Sequence, residues 1–487
     1  MNPFRRMPVE TLLQRAGGEE LHRHMGLIAL VLLGVGGAIG SGVFVLTGTA
    51  AAQYAGPAIA ISFVIAGAAC LFAGLCYAEL ASMIPVAGSA YTYAYASMGE
   101  IIAWIIGWSL VLEYLFACST VAVGWTGYFV GLMKTLGVVL PAALITPPIA
   151  ASGNGHWALS GGVMNLPGAL AILVISWVLA LGVRKSTAFN ALVVILKLGI
   201  IGLVIAFGFG RVDPKNWTPF IPPNTGTFGD FGWSGVVRGA GVVFFAYIGF
   251  DMVSTSAQEV KNPARNLPLG LFVTLAVIAG LYVAMALVQT GLAPYRELNV
   301  TAPVLVALEH GGPQLAWLTP LVSLGVTIGL LAAIFLTLYG QSRVFYAMGK
   351  DGLLPPLFAR LDPQSRAPVF SIWITGFAAA AIAAVVPIQL LGELVSIGTL
   401  LAFIVVCIGV LILRVTKPDA PRGFRPPMPV LIVVSLLGIG TCGYMMCTLP
   451  PPTWIRLGVW LAVGLVIYVL YGVRKSVLAR KAQPEQG

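Results

Sequence analysis

Long apolar stretches, each long enough to cross a lipid bilayer, recur along the whole chain. The first extends from about Met25 to Thr47, and a helix needs about 20 apolar residues to span the hydrocarbon core. Only 9% of the residues are charged, whereas soluble domains carry roughly 25% charged residues. We count twelve such spans, which predict an all-α polytopic membrane protein with twelve transmembrane helices.

Basic residues are distributed unevenly between the two sides of these spans. An even number of spans puts both termini on one side, and the large majority of the 27 Lys and Arg residues fall on that side. Cytoplasmic loops carry such an excess, so we expect both termini in the cytoplasm and the chain among the lipids of the plasma membrane. The net charge of +10 then reflects topology and does not indicate a nucleic-acid partner.

The first span contains an unusual concentration of glycine, in the sequence GVGGAIGSGVF at residues 34–44. Each glycine costs a helix up to about 1 kcal/mol relative to alanine. A helix that breaks open at mid-membrane exposes backbone amides and carbonyls that can bind a small polar ligand, and such backbone is tolerated only where it lines a cavity or is buried in protein. The alternative is close helix packing through small residues, since Gly36 and Gly40 have the GxxxG spacing.

The sixth span repeats this pattern in the sequence GAGVVFFAYIGFD at residues 239–251. Glycine-interrupted spans at corresponding positions of two halves indicate a mid-membrane binding site between inverted repeats, which favours a site over packing alone. We therefore predict repeats at 25–208 and 235–413, with two extra helices at 429–473. A cytoplasmic N-terminal segment at 1–24 and a cytoplasmic tail at 474–487 complete the chain.

Several motifs are similar to those of a known family. Residues 36–44 resemble the first-helix motif of the amino acid–polyamine–organocation superfamily. Further strings resemble its cationic amino acid transporter branch, and twelve spans are typical of the bacterial members; these strings lie at residues 77–91, 244–263 and 340–355.

This resemblance implies the five-plus-five inverted-repeat fold with broken first and sixth helices, and alternating-access uptake of amino acids that is commonly proton-driven. By the family pattern, the substrate carboxylate lies on amides at Ser41 and Gly42. The ammonium faces carbonyls at Ile39, Phe245 and Ile248. These placements agree with the chemistry of broken helices, because helix N-termini suit an anion and freed carbonyls suit a cation. The resemblance also implies that Phe244, next to Phe245, is part of an aromatic gate.

Lys197 is a charged residue inside the fifth span. An intramembrane lysine costs several kcal/mol unless it is paired or neutral, and is a functional-site candidate by default. It lies about eleven residues beyond Ser186, or about 16 Å along a helix, which is too deep for its side chain to reach the interface comfortably. In the resembling family a fifth-helix lysine lies beside the broken first helix, where sodium-driven relatives bind sodium. We therefore expect Lys197 to couple transport to protons.

Glu113 and Asp251 are acidic residues within predicted spans. Glu113 could contact the side chain of a cationic substrate, tie the third helix to the first, or carry a proton. Asp251, just beyond the second break, is expected to satisfy backbone groups or to close a cytoplasmic gate. The four histidines fall in terminal or loop regions, and we find no metal-ligand cluster, nucleophile–base pair or phosphate loop. We therefore expect no metal, no cofactor and no enzymatic activity.

The sequence thus predicts import of L-amino acids, small neutral or cationic or both, by proton symport. An exchanger of the same fold remains the nearest alternative, and a sensor that binds an amino acid without transporting it is a more distant one. Whether a small accessory membrane subunit is required stays open.

Overall fold

The computed structural model describes residues 4–12, 25–84, 89–152, 156–182, 187–250, 253 and 260–481. The structure is built almost entirely of helices, and residues 42–55 form an additional helix of π and α turns. The principal α-helices are α1 (Leu27–Ala38), α2 (Ile59–Met83), α3 (Ser89–Ser97), α4 (Glu100–Thr135), α5 (Leu166–Ala180), α6 (Thr187–Phe209), α7 (Gly232–Val243), α8 (Pro263–Leu292), α9 (Pro303–His310), α10 (Leu318–Lys350), α11 (Val369–Val385), α12 (Ile388–Thr416), α13 (Met428–Thr448) and α14 (Pro451–Ile467).

The helices of the described chain are those of a multi-pass membrane protein. By length and composition, eight helical stretches could cross a membrane, and α1, α5 and α11 are shorter apolar helices. One of the eight stretches joins residues 42–55 to α2, while α7 has only 12 residues. The all-α class is therefore confirmed, whereas the count of twelve spans stays a prediction.

Several hydroxyl groups within the long helices donate to the backbone of their own helix. On α4, the hydroxyls of Ser109, Ser119 and Thr120 donate to the carbonyls four residues earlier, at 2.7–3.0 Å. Such bonds let hydroxyl groups lie inside an apolar environment without an unpaired donor. Asn165 caps α5 by accepting from the Gly168 amide at 3.2 Å and from Thr126 of α4 at 2.8 Å.

The long helix α4 lies at the centre of the packing. It packs against α10 and α12, while α2 packs against α8, and α5 against α11. The first broken helix is held between α6 and α8, because α1 contacts both. The two breaks are thus surrounded by α4, α6, α8 and α10.

One element departs from the helical pattern. Strands β1 (Ile149–Ser152) and β2 (His156–Leu159) pair antiparallel in the connection between α4 and α5, with Ile149 opposite Leu159. The hydropathy pattern does not predict these strands. A short two-stranded ribbon outside the spans needs no apolar face, so it leaves no alternating pattern of apolar residues in the sequence.

A buried ion cluster ties the end of α2 to the end of α12. Arg414 donates to both carboxylate oxygens of Glu79, through Nε at 2.5 Å and a terminal nitrogen at 2.8 Å. Arg422 Nε lies 3.1 Å from Glu79 Oε1, and the side chains of all three residues are at most 6% exposed. Buried charges are tolerated when they are paired in this way.

Candidate functional site

The first helix breaks within its glycine-rich stretch. α1 ends at Ala38, and Ile39 is extended, with φ −69° and ψ 102°. The chain is helical again from Gly42, where a π turn extends to Leu46. Thr47 Oγ1 donates to the carbonyl oxygens of Gly42 and Val43 at 3.2 and 3.0 Å. The break lies where the sequence predicts it.

The sixth span also breaks at its predicted position. α7 ends at Val243 and passes into a tight 3₁₀ turn, Phe244–Tyr247. Ile248 is extended, with φ −59° and ψ 134°, and Gly249 has a φ of +109°, a region that residues with a side chain rarely adopt.

The two breaks meet backbone to backbone. A Cβ atom added to Gly249 would lie 2.4 Å from the carbonyl carbon of Gly37 and 2.8 Å from the nitrogen of Ala38. A Cβ added to Gly42 would lie 2.4 Å from Cα of Ala246. Glycine is required at both positions, because any side chain would prevent the two backbones from coming this close. The glycines therefore also serve close packing.

A small cavity of about 50 Å³ lies between the breaks. Because about 10–15 Å³ of such space holds one water, it suits a ligand of on the order of four water-sized groups. The lining residues are Gly37, Ala38, Gly40, Ser41 and Gly42 of the first break, Phe245, Ile248 and Gly249 of the second, Tyr114, Ala117 and Val121 of α4, and Ala333, Leu336 and Thr337 of α10.

Ser41 presents an unsatisfied polar group at this cavity. The residue is fully buried, and its hydroxyl has no hydrogen-bond partner within the described residues. It also precedes the helix at 42–55, whose first amides have no partner inside the helix. A buried hydroxyl beside a helix N-terminus suits a negatively charged group such as a carboxylate.

Lys197 lies against the opposite end of the first break. Its Nζ donates to the carbonyl oxygens of Ile39 at 2.7 Å and Gly36 at 3.3 Å, and its aliphatic part packs on Gly329 of α10. The side chain is 2% exposed, and no carboxylate in the described part of the chain forms an ion pair with it. The end of α1 carries a partial negative charge, which an ammonium group stabilises.

Two tyrosines that the sequence reasoning missed hold the broken segments in place. The Tyr282 hydroxyl of α8 lies 2.9 Å from the carbonyl oxygen of Ala38 and 2.9 Å from that of Ala246. The Tyr128 hydroxyl of α4 donates to the Phe44 carbonyl at 2.6 Å. Aromatic residues are common in apolar spans, so nothing in the sequence distinguishes these two from ordinary packing residues.

Glu113 does not line the central cavity. It lines a second, smaller cavity of about 10 Å³, together with Ile248 and residues of α2, α4 and α12. Its side chain is buried. Ile39, whose carbonyl oxygen is bonded to Lys197, is likewise absent from the central lining. The structure therefore brings Ser41, Gly42, Phe245 and Ile248 together, and places Ile39 and Glu113 next to them.

The residues expected to act as gates have different surroundings. Phe245 lines the central cavity. Phe244 is fully buried and packs edge-on against Phe403 of α12, at 5.3 Å between ring centroids. Asp251 lies outside the described residues.

Polar clusters join the elements on both sides of the breaks. On one side, Glu393 of α12 accepts from the Tyr54 hydroxyl at 2.8 Å and from the Thr453 hydroxyl of α14 at 2.7 Å. On the other side, the Tyr91 hydroxyl of α3 donates to Asp351 at 2.6 Å. All of these bonds join residues far apart in sequence.

Broken helices that meet at a small buried cavity, within a multi-pass helical bundle, are typical of membrane transport proteins. The sequence model of a family described as "Amino acid permease" matches residues 25–471. The chain belongs to this family, within the amino acid–polyamine–organocation superfamily that its motifs resemble.

Three relatives show the range of proteins to which the chain is similar. It is 43% identical to the methylthioribose transporter of Bacillus subtilis (strain 168), over 98% of this chain and 99% of that protein. It is 41% identical to the branched-chain amino acid permease BcaP of the same organism, over 98% of both. It is 39% identical to cationic amino acid transporter 4, vacuolar, of Arabidopsis thaliana, over 84% of this chain and 66% of that protein. These relatives are named as transporters and not as enzymes.

Proposed function

We propose that this protein is a secondary active transporter that imports L-amino acids by proton symport and alternating access. The observation that carries this proposal is the central cavity. There the buried Ser41 hydroxyl, which has no partner among the residues that the structure describes, and a helix N-terminus lie opposite the freed backbone of the second break. A zwitterionic amino acid needs both a donor site for its carboxylate and carbonyls for its ammonium. Ser41 and Gly42 would bind the former, with Phe245 and Ile248 facing the latter.

Helix packing supports the proposed five-plus-five inverted repeat. α2 and α8 are the second helices of the two halves, α4 and α10 the third, and α5 and α11 the fourth; each pair is in contact. Equivalent helices meet in this way around a pseudo-two-fold axis in the membrane plane. From the uneven distribution of basic residues, we further propose that both termini are cytoplasmic and that the protein lies in the plasma membrane.

Proton coupling is proposed to act through Lys197. Its ammonium donates to the carbonyls of Gly36 and Ile39, so the protonated form stabilises the end of α1. Loss of the proton removes the charge and leaves fewer donors for these carbonyls, which loosens the first helix. Such a difference between two protonation states is what a proton-driven conformational change requires.

The size of the central cavity favours small neutral amino acids such as alanine. The related proteins named for branched-chain and cationic amino acids make these two groups the next candidates. The relative named for methylthioribose makes that compound a necessary competitor in any test. The proposal does not require that Glu113 contacts a cationic side chain. It also does not require an accessory subunit.

The proposal is tested with the purified protein in liposomes. Uptake of labelled alanine is measured with an inward proton gradient, without one, and with unlabelled alanine preloaded inside; leucine, arginine and methylthioribose serve as competitors. We expect the gradient to drive accumulation. Uptake that does not depend on the gradient and requires preloaded amino acid would make the protein an exchanger. Binding of alanine without any flux would favour a sensor. Labelled alanine that is neither taken up nor bound would contradict amino acid transport.

The role of Lys197 is tested in the same liposomes with Lys197→Ala. We expect gradient-driven accumulation to be lost while binding of alanine and its exchange against internal alanine persist. Lys134→Ala is the matched control, because Lys134 is an exposed lysine in the last turn of α4, and its replacement should leave accumulation unchanged. Accumulation by Lys197→Ala at the wild-type level would show that the lysine is structural only.

A further inference from the structure

The half-buried residue Ile248 borders two cavities. Ile248 lines the central cavity of about 50 Å³ and also the second cavity of about 10 Å³. Among the described residues, no other lining residue is common to these two cavities. It also follows the 3₁₀ turn directly, with an extended backbone.

Both cavities lie along one face of α4. Val121 and Ala117 line the central cavity, whereas Glu113 and Leu110 line the second. These positions are separated by four, four and three residues, so they form a single stripe in which neighbours are one helical turn, about 5–6 Å, apart. Glu113 of the second cavity therefore lies about one helical turn from Ala117 of the central cavity.

The second cavity has the chemistry of a site for a cationic side chain. It contains the buried Glu113, and its other lining residues are mostly apolar or aromatic: Tyr77, Leu110, Ile248, Thr399, Ala402 and Phe403. Apolar and aromatic walls suit an aliphatic stem, and a carboxylate suits an ammonium or guanidinium group at its end. At about 10 Å³ it holds no more than one water-sized group.

We propose that Ile248 is a specificity-determining residue, whose side chain closes the path to Glu113 and restricts this transporter to amino acids with short side chains. The proposal rests on the proposed amino acid transport. Replacing isoleucine by a smaller residue joins the two cavities, so that the side chains of lysine, ornithine or arginine reach Glu113. The backbone carbonyl at position 248 is unchanged by such a substitution.

The test compares Ile248→Ala with the wild type in liposomes, using unlabelled amino acids to compete with labelled alanine. We expect competition by ornithine, lysine and arginine to improve by a factor on the order of ten or more, since a pocket of changed size alters preference on this scale. In the double variant Ile248→Ala/Glu113→Gln, the gain for cationic amino acids should be lost. A gain for the neutral norvaline should remain.

Val121→Ala is the matched control, because Val121 lines only the central cavity. It should improve competition by slightly larger neutral amino acids without a gain for cationic ones. An equal gain for cationic amino acids in Val121→Ala, or strong competition by arginine in the wild type, would overturn the proposal. So would faster alanine flux in Ile248→Ala with unchanged preference, because Ile248 would then obstruct the transport path and not select side chains.

Failure of this inference is distinguishable from failure of the proposed function. A wild-type protein that transports no amino acid contradicts the function, whereas wild-type alanine uptake with an unchanged preference in Ile248→Ala contradicts only the inference. If Ile248→Ala is inactive, the increase in Tm caused by each amino acid is measured in detergent, which needs no transport cycle. If that variant does not fold, Ile248→Val is measured in its place and should show the same order of preference with a smaller shift.

Discussion

Glycine at position 249 determines how closely the two broken helices approach. Two observations exclude a side chain at this residue. Its φ is +109°, and an added Cβ would lie 2.4 Å from the carbonyl carbon of Gly37. A positive φ disfavours any residue with a side chain, and the obstructing atoms belong to the backbone, which cannot rotate away. The site therefore depends on the absence of a side chain at this residue.

We expect Gly249→Ala to abolish transport and to lower Tm, because the two breaks must separate to admit the methyl group. Thermal unfolding in detergent and alanine uptake check this. Gly440→Ala is the control, since Gly440 is exposed on α13 with no atom within 4 Å of an added Cβ. It should keep full uptake and an equal or higher Tm, because alanine is the better helix former. Wild-type uptake by Gly249→Ala would contradict the close backbone approach of the two breaks.

Positions of the breaks were predictable from the sequence, whereas the contacts around them were not. Clustered glycines and one lysine are conspicuous in apolar spans, so Ser41, Gly42 and Lys197 could be placed near the site. Tyr282 could not, because tyrosine is ordinary in such spans and its role depends on how α8 is oriented. The family resemblance placed Ile248 at the site, but not its contact with a second cavity, which depends on how the second break is oriented. The same uncertainty put Glu113 among the central contacts, although it lines a separate cavity.

At the scale of whole elements, Tyr282 connects the first break, the second break and α8. Its hydroxyl has one hydrogen to donate and lies 2.9 Å from each of two carbonyl oxygens, those of Ala38 and Ala246. Ala38 is the last residue of α1 and Ala246 lies in the 3₁₀ turn, so both carbonyls lie where a regular helix ends. The phenol therefore keeps two irregular segments in a fixed relation to each other.

We expect Tyr282→Phe to lower the free energy of unfolding by about 1–3 kcal/mol, because the carbonyls lose a buried partner. We also expect slower alanine transport, since the broken segments are no longer held together. Tyr444→Phe is the control, because Tyr444 is 57% exposed on α13, and it should change neither quantity. Unfolding experiments and uptake rates measure the two effects, and wild-type values for both in Tyr282→Phe would contradict a positioning role.

At the scale of the whole molecule, the cluster around Glu393 connects elements that border one side of the cavity. It joins the end of the helix at 42–55, through Tyr54, to α12 and α14. Arg456 lies 3.9 Å from the same carboxylate. In the proposed topology this side faces outward, so alternating access requires these contacts to break when the cavity opens to the exterior.

Neutralising Glu393 should therefore favour the outward-open state. Glu393→Gln keeps the shape of the side chain but weakens the charge-assisted bonds from Tyr54 and Thr453, which are roughly twice as strong as neutral ones. The measurement uses a cysteine in the cavity, Ala333→Cys, in a Cys447→Ser background that removes the exposed native thiol. We expect a membrane-impermeant maleimide added outside to label this cysteine several-fold faster in Glu393→Gln.

The exposed Glu309 of α9 provides the control, since Glu309→Gln should leave the labelling rate unchanged. If the Glu393 carboxylate holds this side closed, neutralising it must shift the equilibrium between the closed and outward-open states. An unchanged labelling rate in Glu393→Gln would therefore mean that other contacts govern opening.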